Sequence, residues 1–143
     1  MGRAKMSRTP LPARRRSWTQ RAVIEGQTFY LTCGEYSDGR LGEIFIDSSK
    51  TGTFVQGVMG ALARMASIAL QCGADVDEVI HALKGLNFPP NGLARSDHVT
   101  WEIQSVADWI AQVIGEKYIS SVAPPLGQQE QPEGTNHVVH PTA

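Results

Sequence analysis

Cysteine is scarce in this sequence. Cys33 and Cys72 are the only two in 143 residues, far apart and outside any CxxC pair. That excludes a disulfide-stapled scaffold and a cysteine-ligated zinc site, and both thiols read as small buried apolar groups. Long apolar runs are missing as well. No stretch reaches the roughly 18 residues of a membrane-spanning helix. The N-terminus is basic but lacks the apolar segment of a secretory signal, so the chain reads as cytoplasmic with no membrane partner. Acid is absent from residues 1–24. These carry Arg3, Lys5, Arg8, Arg14, Arg15, Arg16 and Arg21, a formal +7, which leaves −8 on the remainder of a chain whose net charge is −1.

What is present suffices for one domain that folds without metal or disulfide. Residues 1–17 read as a basic, disordered arm and 18–121 as a folded α+β domain. Residues 122–143, rich in Pro, Gln and Gly, read as a disordered tail. The expected architecture is a small antiparallel sheet of about three strands, covered on one face by three helices. In QTFYLTCGEYSDGRLGEIFID, two alternating runs flank Asp38-Gly39, a hairpin signal. If those two residues form the loop, Cys33 faces Ile44 and Leu31 faces Ile46. Phe29 joins that apolar face, and Tyr30, Thr32, Glu43 and Phe45 fall on the other. Glu43 and Asp47 there are either solvated or bridged to Arg21 or another base. WTQRAVI adds a strand through Glu25-Gly26, although a strict two-residue loop puts Gln20 inward.

The period then changes. GTFVQGVMGALARMASIALQCG is apolar except for a narrow stripe of Gln56, Gly60, Arg64, Ser67 and Gln71, so it is expected to be the covered, central helix. Gly73 ends it. Asp75 and Glu78 predict a capping box for a short helix ended by Gly85. LNFPPNG must be a loop, because Pro89 and Pro90 forbid helix. The spacing of Val99, Ile103, Val106, Ile110 and Val113 predicts a last helix starting near Ser96-Asp97. Its stripe serves either the chain's own core or a helix pair in a homo-oligomer.

Two segments are candidate binding sites. SSKTG precedes a helix, whose N-terminus offers unpaired N–H groups to an anion such as a nucleotide phosphate. There Lys50 supplies charge, Thr51 and Thr53 hydroxyls, and Gly52 a close backbone approach. It is not a GxxxxGK[ST] loop, and the same residues equally make a sheet-to-helix corner capped by a threonine. In the arm, Arg14, Arg15 and Arg16 can meet nucleic-acid phosphates, with Trp18 as a stacking surface, or the arm is a solubilising leader. His137-x-x-His140 has no third metal ligand. No spacing supports a catalytic constellation or a metal site, and His81 reads as an edge residue.

GEIFIDSSKTGTFVQGVMGALARMASIALQCGADVDEVIHALKG followed by LNFPPNG resembles the TSCPD domain. That domain occurs near the C-terminus of cobalamin-dependent (class II) ribonucleoside-diphosphate reductases and in short stand-alone proteins. The strand-loop-helix, the Ala- and Ser-containing helix, the Phe88-x-Pro90-x-Gly92 turn, and Ser105, Asp108 and Tyr118 match in order across residues 18–119. The resemblance implies a stand-alone accessory or binding module in deoxyribonucleotide synthesis, with a class II ribonucleotide reductase as partner. The chain departs from the family in lacking the TSCPD peptide, a cysteine-rich tail and a catalytic barrel. Two cysteines cannot fill the thiyl and reducing roles of the reductases, and cobalamin is expected only in the full-length enzymes.

Overall fold

The computed structural model describes residues 7–119. The tail from 122, with His137 and His140, lies outside them, as do Arg3 and Lys5. The elements run β1 (Ser17–Ile24), β2 (Gln27–Glu35), β3 (Leu41–Ser48), α1 (Phe54–Gln71), α2 (Val76–Leu83), β4 (Gly92–Arg95), β5 (Thr100–Ile103) and α3 (Val106–Tyr118). The strands form one antiparallel sheet in the order β3-β2-β1-β4-β5. Its inward residues share a single core with the three helices. The α+β class is as expected, with five strands in place of about three.

Glu25 and Gly26 form a strict two-residue turn, with φ of 49° and 74°, the handedness that suits a twisted hairpin. Gln20 therefore pairs with Leu31 on the inward face, at its rim, where the amide donates to the Ser96 hydroxyl (3.2 Å). In the next hairpin Cys33 faces Ile44 and Leu31 faces Ile46, the register read from the sequence. The turn that delivers it is longer than Asp38-Gly39. Tyr36 N–H donates to the Arg40 carbonyl and Gly39 N–H to the Tyr36 carbonyl, so Ser37-Asp38-Gly39 make a three-residue loop. Glu35 then pairs with Leu41 but Gly34 with Glu43. A bulge at Gly42 absorbs the extra residue and restores the register.

Residues 92–103 overturn the expected start of the last helix. They form the β4–β5 hairpin, closed by the bond from Ser96 N–H to the Val99 carbonyl. Trp101 and Ile103 are buried while Glu102 and Gln104 are exposed, a period of two rather than 3.6. The helix starts at Val106, where the Ser105 hydroxyl accepts from Asp108 N–H (3.0 Å). The Asp108 carboxylate accepts from the N–H groups of Gln104 and Gly85, each at 2.9 Å. One buried side chain thus caps α3 and ties it to the loop after α2.

α3, not α1, is the central helix. Nine of its residues are buried, including Trp109, Ile110, Val113 and Ile114, and Trp109 meets Trp101 edge-on with centroids 6.1 Å apart. Its stripe is spent within the chain's own core. α1 packs instead along β3, at the edge of the sheet. Thr53 caps it by accepting from Gln56 N–H (3.2 Å). At the other end, Gly73 N–H donates to the Leu70 carbonyl and Ala74 N–H to the Ala69 carbonyl, the glycine-terminated ending expected there. Asp75 makes no side-chain cap on α2, contrary to the expected capping box.

Ser67 and Gln71 of the polar stripe of α1 meet the strand edge, while Arg64 is exposed. The Ser67 hydroxyl accepts from Ile44 N–H (2.8 Å), and its proton is shared between the Ile44 and Ala63 carbonyls (3.1 and 2.9 Å). The Gln71 amide donates to the Gly42 carbonyl (3.0 Å). Side chains thereby satisfy backbone groups that an edge strand would otherwise leave open.

Ser67→Ala is expected to lower the unfolding free energy by about 1–3 kcal/mol, because it strands a buried donor and acceptor. Asp108→Ala is expected to cost about 1–3 kcal/mol, since it removes a cap and leaves two partly buried N–H groups without their acceptor. Urea unfolding checks both; stabilities equal to the wild type would contradict the assigned bonds.

Candidate functional site

Glu43 points away from the core on the outer side of β3, yet only 6% of it is exposed. Arg15 covers it. The guanidinium donates from Nε to Oε2 (2.7 Å) and from Nη2 to Oε1 (2.9 Å), a two-pronged pairing. Gly34 makes room for the fork. A Cβ there would lie 2.6 Å from Glu43 Cγ.

Arg15 reaches Glu43 because residues 7–16 lie against the body, where the sequence suggested a free arm. Thr9 N–H donates to the Gln71 carbonyl (2.9 Å), Arg8 Nε to Gln71 Oε1 (2.6 Å), and the Tyr36 hydroxyl to the Thr9 carbonyl (2.6 Å). The fork separates two clefts. One, of about 530 Å³, runs between β3, α1 and this segment and presents Arg8, Arg15, Arg64, Glu43 and Asp47. The other, of about 330 Å³, presents Arg14, Arg15, Arg16, Glu35 and Tyr36. Mixed charge around these openings suits contact with a polar surface.

Beside the fork, Trp18 donates from Nε1 to the Tyr118 hydroxyl (3.0 Å), and that hydroxyl donates to Glu35. Lys117 lies 3.6 Å from Glu35 Oε2 and 4.9 Å from the Trp18 ring centroid. Trp18 is therefore already in contact with Tyr118 and Lys117. Burial, followed by the bond to Glu35, pushes the Tyr118 phenol above its usual range. Sequence reasoning marked Tyr118 and Trp18, and named Arg8 and Gln71 only as residues of the arm and of the α1 stripe; it missed Glu35 and Lys117. Their partners lie tens of residues away, and no local spacing signals them.

The SSKTG loop sits at the β3–α1 corner. Lys50, Thr51, Gly52 and Thr53 are all exposed. Thr53 is taken by its cap, and Gly52 N–H donates to Gln56 Oε1 (2.9 Å). Lys50–Thr53 line neither of the clefts beside the fork, where Arg14–Arg16 lie. Among the described residues, no group of three or more His, Cys, Asp or Glu is placed to hold a metal ion. No helix there is long and apolar enough to cross a membrane.

Cys33 is fully buried, and burial pushes its thiol up to about 12. Cys72 is half-buried, and both are free. His81 and His98 are exposed and line neither cleft beside the fork.

Arg15→Ala is expected to destabilise the chain by about 1–3 kcal/mol. It leaves Glu43 buried and unpaired, and the partial exposure of Arg15 reduces the cost below that of a fully buried pair. Thermal and urea unfolding measure it. Iodoacetamide at pH 8 is expected to label Cys72 and spare Cys33 until the chain is denatured. Peptide mass spectrometry reads this, and equal native labelling would contradict the burial of Cys33.

Residues 4–118 match the family described as TSCPD domain. The chain is 36% identical over 113 residues to a vitamin B12-dependent ribonucleotide reductase of Bradyrhizobium diazoefficiens, covering 79% of this chain and 9% of that protein. It is 34% identical over 112 residues to the protein of that name in Agrobacterium fabrum, covering 78% and 9%. With that of Rhodopirellula baltica it shares 34% over 116 residues, covering 81% and 11%. The chain thus spans about a tenth of the length of these curated relatives. No solved structure matches it.

Proposed function

Because the chain belongs to the TSCPD domain family, we propose that it is an accessory or binding module of a vitamin B12-dependent ribonucleotide reductase, acting in deoxyribonucleotide synthesis in the cytoplasm. The observation that carries this reading is the match of most of the chain to a small part of such reductases. The module contributes contacts, and the radical chemistry belongs to the reductase. The Cys33 thiol supports that division, since it is enclosed in the core and its proton is held tightly at neutral pH. The charged cleft beside β3 suits the contact. Its arginines and carboxylates form a polar rim on a rigid sheet edge, and polar rims surround most protein interfaces.

The test mixes the purified chain with the B12-dependent reductase of the same cell. Co-elution on size exclusion and a changed rate of deoxyribonucleotide formation are expected. Separate elution together with an unchanged rate would overturn the accessory role.

A further inference from the structure

α1 carries its apolar residues on two opposite faces. Met59, Ala63 and Leu70 point into the core. On the other side Phe54 is 85% exposed, Val58 43%, Met65 72% and Ile68 38%, with Ala61 exposed between them. Positions 54, 58, 61, 65 and 68 advance by 4, 3, 4 and 3. That is the seam of a coiled coil, and a helix that only covers its own core has no need of a second one. Phe54 and Met65 stand out from it as knobs. Beside it, between α1 and α2, runs a groove of about 570 Å³ floored by small side chains, among them Ala66, Ala69, Ala74 and Ala82.

We propose that this seam pairs with the same seam of a second copy of the chain, the two α1 helices running parallel about a two-fold axis. The charges select both the occupant and the direction. Arg64 is the one charged residue of α1, and it flanks the seam on the side away from α2. Glu78 is the one charged residue lining the α1–α2 groove. A two-fold axis parallel to α1 carries the α2 side of one copy to the Arg64 side of the other. Each Arg64 then lies beside Glu78 of the second copy, and each seam lies against the other. An antiparallel pairing would set Arg64 against Arg64 and is disfavoured.

The seam is short for an isolated coiled coil. Here the helix is already folded on its own domain, so pairing does not bear the cost of helix nucleation. The contact is small, and dissociation on dilution is expected. This inference concerns the chain alone and stands independently of the reductase reading.

Sedimentation equilibrium on the purified chain, from millimolar to micromolar concentration, tests it. The wild type is expected to show twice the chain mass at the high end. Met65→Glu should weaken association by roughly tenfold or more, because it places a carboxylate in an apolar contact. Its circular dichroism and unfolding should match those of the dilute wild type, since Met65 is exposed. Arg64→Glu and Glu78→Arg should each weaken association, and combining them should restore it. That rescue keeps the proposal falsifiable if Met65→Glu folds poorly. A wild type of single-chain mass throughout would overturn the pairing, as would a Met65→Glu that dimerises normally. A double charge reversal no tighter than the single ones would overturn the parallel arrangement. If Met65→Glu abolishes capture of the reductase while the wild type stays monomeric, the seam belongs to that partner and not to a second copy.

Discussion

β3 lies at the edge of its sheet, and the backbone groups of Ile44 and Gly42 on its outer side need partners. Ser67 and Gln71 of α1 supply them. Such bonds are modest individually, about 1 kcal/mol net, but the penalty for leaving buried groups unpaired is larger. They hold α1 beside the strand, while α3 is the helix buried most completely in the core. Gln71 does a second service. Its side chain receives Arg8 and its carbonyl receives Thr9 N–H, which draws the N-terminal segment onto the body. That segment brings Arg15 over Glu43 and shapes both charged clefts. Strand edge, helix position, N-terminal path and site geometry therefore form one chain of dependence.

The same placement explains why an apolar helix is left partly in water. A helix enclosed in the core buries most of its circumference, as α3 does. A helix beside an edge strand buries one side, and the opposite side must meet something else or stay wet. The second apolar face of α1 thus belongs to surface rather than to core. The division also fits a module, whose family relatives carry the domain as a small part of much longer chains. Charged clefts on one side and an apolar seam on another offer contacts of different chemistry.

Much of the fold was legible in local pattern. The Phe29–Cys33 and Ile44–Ile46 alternation defined its register even though the turn differed, because a bulge at Gly42 absorbed the mismatch. Thr53 and Gly73 marked the ends of α1 through chemistry confined to one turn of helix. The hairpin at 92–103 was misread because Val99, Ile103 and Val106 happen to share helical spacing while Trp101 and Ile103 alternate with polar neighbours. Four-residue strands are too short for a period to declare itself. Of the site, Arg15, Trp18, Glu43 and Tyr118 were noticed singly. Their pairing was not, since Arg15 and Glu43 are separated by two strands and two turns.

By itself the sequence determined the fold class, the pairing of β2 with β3, the ends of α1 and the family, because each depends on residues near one another in the chain or on an ordered set of motifs. Tertiary structure alone decided which helix is central, what covers Glu43, and which apolar stripe faces water. Those outcomes depend on a competition among helices for one sheet face. Hydrophobicity along a chain records that a side chain avoids water, not which surface removes it.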